Sequence, residues 1–60
     1  MMIYESVDYS KEKPLLPGLY IVDTKSKHRT NTFLASFNGV NFDVNNQIVI
    51  NWYKKRKYDN

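Results

Sequence analysis

The chain has 60 residues, 42% of them hydrophobic and 25% charged, with a formal net charge of +3 at pH 7. A chain of this length is at most one small domain, 1–60, and buries only about 60% of its unfolded surface, so packing, self-association or a partner must supplement its stability. It has no cysteine and a single histidine, His28, which excludes disulfide staples and a thiolate or multi-histidine zinc site.

Residues 1–18 read as a polar lead-in. Ile3, Tyr4, Val7 and Tyr9 are its packing candidates, and residues 4–9 fit either a short strand or one helical turn. Lys13-Pro14-Leu15-Leu16-Pro17-Gly18 is a connector. Each proline fixes its own φ and extends the residue before it, Pro17-Gly18 signals a turn, and the two leucines are expected to plug one end of the core.

Residues 19–53 carry the β-forming sequence. Leu19-Tyr20-Ile21-Val22-Asp23-Thr24 is β-branched and aromatic and predicts a strand. Lys25–Asn31 is a polar, basic loop that can lengthen the strands on either side. Phe33–Val44 reads as a hairpin about Asn38-Gly39, because that dipeptide between alternating apolar residues favours a two-residue type I′ turn. In that register Phe37 faces Val40, Ala35 faces Phe42 and Phe33 faces Val44. Asn45-Asn46-Gln47 makes the next turn, with Asn46 or Gln47 near left-handed geometry. The last strand, Gln47–Tyr53, then places Ile48, Ile50 and Trp52 on the hairpin's apolar face. Residues 54–60 are a basic tail, expected to be frayed or loosely paired.

The expected architecture is all-β: a small antiparallel meander of three to five strands with an irregular N-terminal segment. A single sheet cannot bury its apolar face alone. Leu15 and Leu16, a curl towards a small barrel, or a second copy in a homodimer would have to cover it.

Pro14, Gly18, Tyr20, Val22, Ala35, Phe37, Asn38, Gly39, Phe42, Ile50 and Trp52 form a Pro…Gly-x-Tyr-x-Val…Ala-x-Phe-Asn-Gly…Trp pattern. Over residues 14–53 the chain resembles short bacteriophage and prophage proteins classed as a domain of unknown function. The tryptophan usual near the start of such proteins is absent here, with Tyr4 in its stead. The resemblance implies no activity. It implies a phage-type origin, in which small single-domain proteins often bind and block a host protein, in the host cytoplasm.

No catalytic constellation is legible. His28 sits between Lys27 and Arg29 and reads as a solvated loop residue without an orienting partner. Glu5, Asp8, Glu12, Asp23 and Asp43 are scattered, and Gly18 and Gly39 make no phosphate loop. The reading is therefore a protein that is not an enzyme and needs no cofactor or metal. No apolar run approaches the roughly 20 residues of a membrane helix, and residues 1–6 lack the regions of a secretory signal, so no membrane partner is expected and the location reads as cytoplasmic.

Two binding surfaces remain. Tyr20, Val22, Leu34, Val49 and Tyr53 are expected on the outer face of the meander, an aromatic and apolar patch suited to a host protein. The alternative partner is nucleic acid. Lys25, Lys27 and Arg29 in the loop, and Lys54, Lys55, Arg56, Lys57 and Tyr58 in the tail, supply the charges that track phosphates and an aromatic that stacks bases.

Overall fold

The computed structural model describes the backbone of residues 2–57 and the side chains of residues 3–55. There is no helix among them. Four strands, β1 (Met2–Asp8), β2 (Gly18–Lys25), β3 (Thr30–Phe37) and β4 (Ile48–Lys57), form one antiparallel sheet. The order is β1-β4-β2-β3, so β1 and β3 are the edges and the sheet is open. The lead-in thus contains a full strand. Residues 54–57 of the basic tail continue β4 and pair with Met2–Glu5, with Glu5 opposite Lys54 in the register.

Strands β2 and β3 form a hairpin in which Lys25 pairs with Thr30. Residues 26–29 turn, closed by the Ser26 N–H to the Arg29 carbonyl at 2.8 Å. The strands run further into the basic loop than their apolar residues indicate, because Thr24, Thr30 and Thr32 are themselves good strand formers.

The Asn38-Gly39 turn is where the sequence places it, but its register is different. Residues 38–41 form a four-residue loop closed by a single bridge between Phe37 and Phe42. The Asn38 N–H donates to the Asn41 carbonyl at 3.0 Å. The Asn38 Oδ1 accepts the backbone N–H groups of Val40 and Asn41, both at 2.8 Å. Gly39 has φ +101°, a region that L-residues rarely enter. The physical reason for the change is burial. With the two-residue loop, the chain would have continued along the edge of β3. Instead it leaves that edge after one rung and carries Phe42 onto the core face, its ring centroid 4.9 Å from that of Phe37.

Each long connection skips one strand. Residues 9–17 join β1 to β2 past β4, and residues 38–47 join β3 to β4 past β2. Both supply cover for the same face of the sheet. Val22, Thr24, Ala35, Phe37, Phe42 and Trp52 are buried there, with Tyr9, Tyr20, Phe33, Val44 and Val49 packed around them. The Trp52 indole Nε1–H donates to the Glu12 carbonyl at 2.8 Å, and the Tyr20 hydroxyl donates to the Leu16 carbonyl at 2.7 Å. These bonds fasten the first connector. Thr24, the one buried polar residue among the described residues, donates to Gln47 Oε1 at 2.5 Å.

The leucines of the connector do not plug the core. Pro14 is buried, whereas Leu15 is 94% exposed and Leu16 is 70% exposed. With the Glu12 and Leu16 carbonyls tied to Trp52 and Tyr20, the segment lies along the sheet with both leucines outward.

The ladder between β2 and β4 contains a bulge. Asp23 pairs with Asn51 but Thr24 pairs with Val49, leaving Ile50 as the extra residue. A bulge bends its strand and shifts the alternation by one. Val49 and Trp52 therefore face the core, while Ile48 is exposed at 73%. The expected common face of Ile48, Ile50 and Trp52 does not form.

Candidate functional site

Beyond the bulge the sheet divides. Pairing between β2 and β4 runs from Lys25–Ile48 to Val22–Trp52 and goes no further. Past that point β2 stays with β3 down to Gly18, and β4 stays with β1 out to Lys57. Two ribbons thus share a short seam and splay into a fork. A bulge raises local twist, and this one lies in the seam just before the ribbons part.

Backbone alternation shows what faces the fork. The Ser36 carbonyl accepts from the Asp43 N–H on the outer edge of β3. Its partner in β2, Leu19, must then direct its N–H and C=O away from β3, towards β4. The Tyr9 N–H donates to the Ile50 carbonyl, so even-numbered residues of β4 address β1. Odd-numbered ones, Tyr53 and Lys55, address β2. Continuing the Val22–Trp52 register would set Leu19 opposite Lys55, yet no rung joins them.

A cleft of about 580 Å³ occupies this fork, lined by both ribbons and the connector. Leu19, Ile21, Leu34, Tyr4 and Tyr53 form its apolar floor, Leu15 and Leu16 stand at its rim, and Lys54 and Lys55 edge it. Leu19, Leu34 and Tyr4 are exposed. Lys54 makes an ion pair with Glu12 at 3.3 Å. Lys55 has no carboxylate at ion-pair distance among the described residues. Covering one leucine is worth about 1.5–3 kcal/mol. For a small domain, leaving Leu15, Leu16 and Leu19 in water therefore forgoes an amount comparable to much of a typical folding free energy.

The other half of this face is polar. Asp23 accepts hydrogen bonds from Thr32 Oγ1 at 2.6 Å, Tyr53 Oη at 2.7 Å and Asn51 Nδ2 at 3.4 Å. The Thr32 bond, assisted by Tyr53 and Asn51, holds the Asp23 carboxyl below the ordinary aspartate range against partial desolvation. The same contact raises the Tyr53 phenol, which donates to a carboxylate and loses that bond on ionisation. Asp23 therefore fixes the Tyr53 ring at the inner end of the cleft.

The apolar patch expected from the sequence is split between the two faces. Val22 is fully buried, and Tyr20 and Val49 pack against the core. The Tyr20 ring lies 5.4 Å from Trp52 and 6.1 Å from Phe42, edge to face. Leu34 and Tyr53 do lie on the open face, and both line the cleft. The correction has one source. Leu19-Tyr20-Ile21-Val22 is apolar on both faces, and only the register with β3 and β4 decides which set is inside.

The basic residues are dispersed. Lys25, Lys27 and Arg29 are exposed at the end of the sheet where β4 begins. Lys54 and Lys55 are about seven residues further along β4, roughly 24 Å away at strand rise, and adjacent strand residues point to opposite faces. The side chains of Arg56 and Lys57, and the whole of Tyr58, lie outside the described residues. The loop cations Lys25, Lys27 and Arg29 thus stand apart from Lys54 and Lys55. His28 is exposed in its loop.

The cleft residues Tyr4, Leu15, Leu16, Leu19, Ile21 and Lys55 are absent from the sequence-derived patch. A signal existed in the adjacent leucines between two prolines, where the prolines restrict the backbone and limit how the segment can fold both leucines inward. Comparison with family models, curated proteins and solved structures gives no match. No helix among the described residues is long and apolar enough to cross a membrane.

Proposed function

We propose that this protein is a non-catalytic protein-binding module of phage type. It inhibits or modulates a host enzyme or defence protein by occupying its surface, and acts in the host cytoplasm. The observation that carries the reading is the uncovered apolar rim and floor of the fork, Leu15, Leu16, Leu19 and Leu34. Exposed apolar clusters framed by polar residues mark interaction sites, and Leu15 and Leu16 are held outward by a connector whose carbonyls at Glu12 and Leu16 are committed to Trp52 and Tyr20. The resemblance to short phage proteins supports the choice of a host protein as partner. Basic residues beside the rim steer the module towards an acidic target.

The test is capture from bacterial lysate on the immobilised protein, with and without nuclease, beside a Leu15→Ser/Leu16→Ser variant. The reading expects a discrete host protein that survives nuclease treatment and is lost with the double variant, whose exposed positions leave folding intact. Capture that disappears with nuclease, or that ignores the two leucines, overturns it in favour of nucleic acid or of another surface.

A further inference from the structure

We infer that the fork recognises an extended acidic peptide segment of its partner, which enters as an added strand between β2 and β4. The inference rests on the protein-binding reading and specifies the partner's chemistry.

Three observations converge on it. First, the N–H and C=O of Leu19 and of Lys55 face the fork and meet no rung from the opposite arm. Exposed ladder groups are a template for another strand, and backbone hydrogen bonds supply affinity in such complexes. Second, the floor is apolar, with Leu19, Ile21 and Leu34 on one arm and Tyr53 and Tyr4 on the other. An incoming strand of alternating residues would lay every second side chain on this floor. Third, the charge at the cleft is unbalanced. Glu12 is paired with Lys54, while Lys55 has no carboxylate at ion-pair distance among the described residues. A carboxylate on the incoming strand would answer Lys55; a basic strand would be repelled.

Two positions separate backbone recognition from side-chain packing. The Leu19 N–H is not used by the β2–β3 ladder, so Leu19→Pro keeps that ladder while removing the donor. Leu19→Ala removes the same apolar surface and keeps the donor. Lys55→Glu reverses the charge without touching the floor.

The experiment is selection of random decapeptides displayed on a carrier against the intact 60-residue protein, with affinities of the selected peptides then measured as free synthetic peptides. The expected result is a set in which apolar residues alternate and Asp or Glu recurs, without central proline. Leu19→Pro should weaken these peptides at least tenfold, well beyond Leu19→Ala, and Lys55→Glu should also weaken them at least tenfold. Should Leu19→Pro fail to fold, Lys55→Glu and amide exchange decide, with the Leu19 and Lys55 amides slowed on peptide binding.

The inference is overturned if no peptide is selected, if the selected peptides are basic or spaced as helix faces, or if Leu19→Pro matches Leu19→Ala. It is also overturned if ultracentrifugation finds the fork filled by a second copy. A host protein captured through Leu15 and Leu16 but indifferent to Leu19→Pro and Lys55→Glu removes the added strand and leaves the occlusion reading standing. Acidic peptides bound in the fork with no host protein captured do the reverse.

Discussion

Trp52 and Glu12, forty positions apart in sequence, are joined by the indole Nε1–H of one and the backbone carbonyl of the other at 2.8 Å. The bond places the β1–β2 connector over the buried face and positions the rim of the cleft. Trp52→Phe should lower stability by about 1–3 kcal/mol, from the lost hydrogen bond and the space left behind. Urea denaturation measures the loss. Hydrogen exchange should show residues 9–17 opening before the β2–β3 hairpin.

The bulge at Ile50 makes a prediction opposite to simple strand alternation. Val49 packs on the core and Ile48 is exposed. Val49→Asp should therefore cost at least about 2 kcal/mol by burying an unpaired carboxylate, while Ile48→Asp should stay within about 0.5 kcal/mol. Equal effects in chemical denaturation would contradict the bulged register.

Gly39 and Asn38 can be separated by mutation. A Cβ at Gly39 would meet the Pro17 ring at 3.6 Å, an ordinary contact, so the obstacle to a side chain is φ +101° rather than crowding. Gly39→Val should cost about 1–2 kcal/mol through backbone strain. Asn38→Ala, which frees two N–H groups in an exposed loop, should cost about 1 kcal/mol. Thermal melts of both variants order the two effects.

The Asp23–Tyr53 contact gives stability a pH dependence at both ends. The Asp23 carboxyl is depressed by Thr32, Tyr53 and Asn51. Its stabilisation is therefore present above the ordinary aspartate pKa of about 3.9 and lost as pH falls through the lower folded value. The Tyr53 phenol is raised by Asp23. Its contribution is present below about 10 and lost as pH rises through the higher folded value. Asp23→Asn should flatten both slopes and return the Tyr53 titration, followed by NMR of the tyrosine ring carbons, towards the ordinary phenol value. An unchanged Tyr53 titration would mean the contact does not persist in solution.

The sequence by itself determined the all-β class, the strand at Leu19–Thr24, the turn position at Asn38-Gly39, left-handed geometry at Asn46 or Gln47, and Ala35, Phe37, Phe42 and Trp52 as interior residues. These are local properties. β-branched content, a glycine free to take φ +101°, and an asparagine at φ +58° act within a few residues and leave a direct mark on composition. Tertiary structure alone decided that β4 lies between β1 and β2, that Ile50 is the bulged residue, that Val22 and Tyr20 face inward while Leu19 and Ile21 face out, and that Pro14 is buried in place of the two leucines. Each of these depends on which strands become neighbours. That choice is made by competition among long-range pairings for the one arrangement that covers Val22, Phe37 and Trp52. A period-2 pattern cannot register an inserted residue, and a run apolar on both faces cannot name its own inner side. The fork exists because two locally well-formed ribbons share a seam shorter than either of them, a property of the pairing between the ribbons and of no single segment.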